Sequence, residues 1–205
     1  MGSHYAITST IRYYKMATAV EVLPGRSPRL RLEPCPNSQA PFDVSRWKDT
    51  PHVALANLRD EPEAVLRFTR TYGVLGGAKS GTVSVRQLLQ FRDNLRAAWD
   101  GSWTENFFAL AITHPALVAQ PTGMVIAVAD PWTLVQVLFA QDWTEKRIKK
   151  CENPDCHEVS YFCAVRKGQK FCSQKCAVLI NVRQFRAREA DLKSKEEKYA
   201  KAKKA

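Results

Sequence analysis

The chain has 205 residues, 45% hydrophobic and 25% charged, which fits one medium globular domain, or one domain with a small appended module, and excludes a largely disordered polymer. It contains no run of about 18 apolar residues, so the sequence predicts no membrane-spanning helix. The net charge of +11 is uneven: residues 144–205 hold 17 Lys/Arg against 8 Asp/Glu, and residues 1–143 hold 14 against 12. An excess concentrated in this way points to a polyanionic partner.

In chain order, Met1-Gly2-Ser3-His4 lacks the apolar stretch of a secretory signal, and a cytoplasmic protein is expected. Ala17–Leu23 and Leu30–Leu32 flank Pro24-Gly25-Arg26-Ser27-Pro28 and read as two short strands around a turn. Pro34, Pro36, Pro41 and Pro51 interrupt the next stretch, giving a loop-rich β segment. Asp60 is the expected N-cap of a first helix, with Pro62 in its first turn, a stripe of Val65, Leu66, Phe68 and Tyr72, and Gly76-Gly77 at its end. The spacing predicts a second helix capped by Ser84, with Val85, Leu88, Phe91, Leu95 and Trp99 on one face and Gly101 as its stop. Residues 103–128 are apolar and ambiguous, and Met124–Ala129 reads as a short strand or a buried helix end. A third helix starts at Asp130 and Pro131 and carries Trp132, Val135, Leu138 and Phe139 inward. These stripes are expected to pack a core. The sequence has no Gly-rich phosphate loop, no Gly-x-Ser-x-Gly elbow, no His-Glu-x-x-His pattern and no internal repeat.

The chemistry concentrates near the C-terminus. Five of six cysteines lie within 26 positions, four of them as Cys151-x4-Cys156-x15-Cys172-x3-Cys176. Two close thiol pairs joined by a hairpin supply the four soft ligands of one tetrahedral, structural Zn2+. Asn153-Pro154-Asp155 suits the tight turn between the first pair. Val159, Tyr161, Cys163 and Val165 alternate before a turn at Arg166-Lys167-Gly168-Gln169-Lys170, which reads as a β-hairpin arm. Ser173 is a natural N-cap, which places Cys176 in the first turn of a helix, where free N–H groups favour thiolate. Cys163 is expected to pack the hairpin, His157 to be a turn residue and Cys35 to be an ordinary thiol. In the final helix Val178, Val182 and Phe185 share a face and are expected to cover the hairpin, with Arg183, Arg186 and Lys193 on another. Lys193–Ala205 reads as a charged helical or frayed tail.

The stretches Lys149-Lys150-Cys151-Glu152-Asn153-Pro154-Asp155-Cys156 and Gln169-Lys170-Phe171-Cys172-Ser173-Gln174-Lys175-Cys176, followed by a basic helix, resemble the CGNR-type zinc finger. In that bacterial family the finger follows an N-terminal domain assigned to stress-induced transcription regulators. Phe68-Thr69-Arg70-Thr71-Tyr72-Gly73, Arg92-Asp93 and the run from Gln141 to Cys151 are similar to segments of that domain. The chain departs from the pattern at Cys176-Ala177-Val178-Leu179, which replaces Cys-Gly-Asn-Arg, and at His157, where Gly is usual. No Asp-x-x-Asn-Thr motif is present near the N-terminus, and the chain reads as a divergent member.

Three regions are therefore expected. Residues 1–145 form a mixed, mainly helical α+β domain that senses a ligand or dimerises, with a homodimer allowed for. Residues 146–190 form a treble-clef-like four-cysteine zinc finger, and residues 191–205 form the tail. The resemblance implies a bacterial DNA-binding transcription regulator without enzymatic activity, bound to double-stranded DNA rather than to membrane. Lys149, Lys150, Arg166, Lys167, Lys170, Lys175, Arg183 and Arg186 are its candidate phosphate contacts. RNA is the other nucleic acid considered, with Tyr161, Phe162 and Phe171 free to stack or, alternatively, packed in the hairpin. A zinc-stabilised adaptor for protein is the competing class. A His-Asn-His nuclease is disfavoured because the module offers only His157.

Overall fold

The computed structural model describes residues 6–9, 15–34, 50–75, 81–102, 116–120, 123–128, 131–156 and 159–202. The architecture is α+β, as expected, and divides into two compact units, residues 1–148 and 149–205. Cys35, Gly76-Gly77, Asp130 and His157 lie outside the described residues.

In the first unit, β1 (Ala6–Ser9) runs parallel to β6 (Gly123–Val128), which pairs antiparallel with β5 (Ala116–Gln120). Of the two readings of Met124–Ala129, the strand is therefore correct over residues 124–128, and Ala129 lies outside the described residues. A second sheet has the order β2-β3-β4, from β2 (Lys15–Glu21), β3 (Arg29–Pro34) and β4 (Thr82–Ser84). Its β2–β3 hairpin turns through Gly25 at φ 70°, a conformation glycine adopts without strain. The register shifts between Ala17 and Ala19, a bulge that takes Thr18 out of the ladder. Arg70 donates to the carbonyls of Ala17, at 3.1 Å, and Thr18, bracing the bulge.

Among the described residues, four helices surround a buried aromatic and aliphatic core: α1 (Pro51–Ala56), α2 (Pro62–Tyr72), α3 (Val85–Trp99) and α4 (Pro131–Thr144). The predicted stripes supply it through Val65, Phe68, Val85, Leu88, Leu95, Trp99, Trp132, Val135, Leu138 and Phe139, while Leu66, Tyr72 and Phe91 are half-buried. Phe91 packs on Trp132 and Trp99 on Phe139, with ring centroids 4.7 and 5.4 Å apart. The short helix α1 falls in the stretch expected to be loop-rich, although Thr50 and Pro51 have the residue types of an N-cap and a first helical position. At six residues it is too short to persist alone, and the ends of α3 side chains hold it. Arg96 Nε donates to the Ala56 carbonyl at 2.7 Å, and Arg92 and Arg96 both reach the Leu58 carbonyl at 3.1 Å. Two cations thus sit at the negative end of the α1 dipole.

Asp60 does not cap α2. Pro62 at the first helical position obliges the residue before it to be extended, so the cap is Glu61, at φ −65° and ψ 131°, with no side-chain cap bond. The Asp60 carboxylate instead accepts from the buried Arg92 guanidinium. That hydrogen bond and charge hold Asp60 below the usual carboxylate range. α2 stops at Gly73, φ 89°, before Gly76-Gly77. Ser84 does occupy the N-cap of α3, but its side chain makes no cap bond and its backbone closes β4 against Arg29.

Candidate metal centre

The second unit is built around the cysteines. Strand β7 (Ile148–Lys150), at the boundary of the units, pairs with β8 (Tyr161–Cys163). The alternation over residues 159–165 predicts a hairpin arm there; the strand is shorter, its partner lies upstream of the first ligand, and Val165 is exposed beyond it. Cys151 continues that pairing by donating its N–H to the Ser160 carbonyl at 2.8 Å. Tyr161 and Phe162 are buried and Phe171 half-buried, so the first two pack the finger rather than offering rings to bases. Lys150 Nζ lies 5.2 Å from the Tyr161 ring centre, within cation–π range.

Between the first two ligands, Asn153 organises the knuckle. Its side-chain oxygen accepts from the Asp155 N–H at 3.2 Å, and its backbone carbonyl accepts from the Cys156 N–H at 3.0 Å, which is the Asx-turn chemistry expected of Asn-Pro-Asp. Its amide has a second role that the turn chemistry does not announce. Buried at 3% exposure, it donates to Cys176 Sγ at 3.4 Å. A side-chain amide has both a donor and an acceptor end, so one residue can close the turn and support a ligand from the other pair.

Ser173 caps the start of α5 (Gln174–Ala202) as expected, its hydroxyl accepting from the Cys176 N–H at 3.3 Å. Cys176 therefore enters the cluster from the first helical turn. The sulfurs of Cys151, Cys156, Cys172 and Cys176 all lie within 4.8 Å of one another. The pairs Cys156–Cys172, Cys172–Cys176 and Cys176–Cys156 are 3.5, 3.7 and 3.8 Å apart. A tetrahedron of thiolates about 2.3 Å from Zn2+ has edges of about 3.8 Å, so the donor set fits one such ion. Burial pushes the Cys172 and Cys151 thiols up, and for Cys172 the neighbouring Cys156 adds to it. Cys176 is lowered to about 7, chiefly by the Asn153 amide. Sulfurs crowded this closely cannot all ionise without a cation among them. With four protein ligands the site is closed and structural.

Residues 147–189 match the CGNR zinc finger family model. The match covers all four ligands, both β strands from Ile148 onward and the first half of α5; it leaves the first 146 residues unassigned. No curated protein matches the chain. Together, the family match and the cysteine geometry make this a CGNR zinc finger holding one structural Zn2+. Among the described residues no helix is long and apolar enough to cross a membrane.

The structure corrects one expectation about the helix of the CGNR finger. Val178, Val182 and Phe185 do not cover the hairpin; they are 50, 41 and 61% exposed. Ligation sets the roll of α5: Cys176 points into the cluster, so Ile180 and Arg183, four and seven residues on, face the knuckle with it. Ile180 is half-buried and Arg183 is ion-paired with Asp155. The apolar stripe is thereby turned to the opposite side. Of the eight candidate phosphate contacts, Lys149, Lys150, Arg166, Lys167, Lys175 and Arg186 are exposed on the finger. Lys170 is half-exposed or more and bridges Glu152 at 3.3 Å, and Arg183 is engaged by Asp155.

Asn153→Ala is expected to keep the finger folded under saturating zinc and to weaken zinc affinity about tenfold, the usual effect of removing a group that supports a ligand. Competition against a chromophoric chelator measures it. An unchanged affinity would reduce Asn153 to a turn former.

Proposed function

We propose that the chain is a bacterial, DNA-binding transcription regulator whose CGNR finger contacts duplex DNA through its basic surface. The zinc ion folds the module and takes no part in chemistry, and we assign the chain no catalytic role. The unit formed by residues 1–148 is the sensing or dimerising half of such a regulator, in keeping with the segments that resemble the family's N-terminal domain. One observation carries this reading: from Asn181 to Glu196 every α5 residue is exposed, and that stretch presents Arg183, Arg186 and Arg188. Arginines on an exposed helix suit a groove or a phosphate wall. Lys149, Lys150, Arg166, Lys167 and Lys175 add charge from the knuckle, hairpin turn and helix start.

A zinc-stabilised adaptor is the second reading, favoured by the exposed Val178, Val182 and Phe185. Salt dependence separates the two. Titrating the zinc-loaded protein into a labelled mixed-sequence duplex across a salt series should give a log–log slope of roughly −4 to −7, equivalent to about five to eight neutralised phosphates. An adaptor would give weak binding and a shallow slope.

A further inference from the structure

On the side of α5 turned away from the knuckle, Val178, Asn181, Val182 and Phe185 recur at i, i+3, i+4 and i+7, all exposed. This is the spacing of a single helical face. Helical geometry places Lys175, Arg186 and Lys193 along one edge of that face and Arg188 and Lys195 along the other. Lys195 bridges Asp191 at 2.8 Å. The face is therefore an apolar strip containing one amide and bordered by cations on both sides.

We infer that this strip, and not the Arg183 side of α5, enters the major groove of duplex DNA and reads A·T pairs through thymine methyl groups and adenine edges. The inference rests on the DNA-binding reading above and specifies which face of the helix is used and what it recognises. Charge and shape are complementary. The major groove is about 12 Å wide, admits one α-helix, and presents a wall of phosphates to each side of it. A helix with cations on both edges and, from Val178 to Phe185, an uncharged strip between them matches that arrangement. Within the groove, valine methyls suit the thymine 5-methyl group, and an asparagine amide can pair with adenine N6 and N7. A second copy of the helix fits less well. It would bring Arg186 and Lys193 along one edge, or Arg188 along the other, against like charges, and would place Glu189, which continues the strip, in the seam. A lipid surface would have to bury the same Glu189 among acyl chains.

The test uses the full-length zinc-loaded protein and three labelled duplexes of equal length: alternating dA·dT, alternating dA·dU and alternating dG·dC. Replacing thymine by uracil removes every 5-methyl group and keeps the phosphates and adenine edges. The expected result is binding to dA·dT about tenfold tighter than to dA·dU, since a few methyl contacts are lost. Val178→Ser with Val182→Ser should erase that difference and keep the salt slope. Asn181→Ala should narrow the preference for dA·dT over dG·dC. Cobalt substitution, read by its thiolate absorption, checks that each variant still folds its finger, and the thymine–uracil comparison on the unaltered protein needs no variant at all. Equal affinity for dA·dT and dA·dU with a steep salt slope would overturn the inference while leaving DNA binding standing. A thymine preference that survives the double serine variant would overturn it too, because groove shape rather than the strip would then be the source. Absence of binding to all three duplexes would overturn both this inference and the reading beneath it.

Discussion

Replacing Cys172 with serine is expected to unfold the finger and leave the N-terminal unit folded. The reason is the imbalance of the two cores. Among the described residues, the finger buries few side chains besides Tyr161, Phe162, Ala164, Asn153 and Cys176, too little apolar area to offset the entropy of ordering the segment. Zinc binding supplies what is missing, on the order of 10 kcal/mol in modules of this size. The first unit has its own core around Trp99, Trp132, Phe139 and Leu55. Fluorescence separates the two units cleanly, because every tryptophan (Trp47, Trp99, Trp103, Trp132 and Trp143) precedes the finger. Tryptophan emission should therefore stay native in Cys172→Ser while the helical circular dichroism of α5 and the stoichiometric zinc are lost. A red-shifted emission that accompanies zinc loss would show that the two units fold as one.

The second large effect is expected at Arg186 and Arg188. Reversing both to glutamate should lower duplex affinity at least about a hundredfold near 0.1 M salt and reduce the salt slope by about two. Zinc content should not change, since helical geometry keeps both positions off the face that carries Cys176. Arg183 is the less informative site for this purpose: it is paired with Asp155, so reversing it would disturb the brace between helix and knuckle as well as any phosphate contact. Arg183→Gln should weaken binding by less than either reversal. Unaltered affinity in the Arg186→Glu, Arg188→Glu protein would mean that α5 is not the contact surface, and the basic residues of the hairpin turn would have to carry the binding alone.

The zinc site is legible in the sequence because its information is local. Four thiols, a turn-forming Asn-Pro-Asp and a capping serine each specify a short piece of backbone, and the spacings close the tetrahedron. The β2–β3 hairpin and the stripes of α2, α3 and α4 are legible for the same reason. Other features depend on distant residues. The parallel pairing of Ala6–Ser9 with Val125–Val128 and the addition of Thr82–Ser84 to the hairpin join segments far apart in the chain, and no local pattern announces either. Helix α1 persists because Arg96 holds its last carbonyl, at Ala56, and Arg92 and Arg96 together hold that of Leu58 just beyond it, a tertiary cause. Asp60 has the residue type of a cap, but the proline two residues on shifts the cap by one position.

The most instructive departure is the roll of α5. Apolar spacing alone places Val178, Val182 and Phe185 against the hairpin, as it would in a helix held by hydrophobic contact. Here a metal ligand in the first turn fixes the orientation, and the stripe goes to the outside. Under the proposed DNA-binding function the same fact links the metal to recognition, because the ligand Cys176 determines which face of the helix is presented.

That link is tested most directly by fluorescence anisotropy of a labelled duplex with the full-length protein, zinc-loaded and after chelation, at one low salt concentration. Micromolar binding that disappears on chelation and returns when zinc is restored is the expected outcome. Flat anisotropy with zinc present, or binding that survives complete removal of the metal, would contradict a zinc-ordered DNA contact.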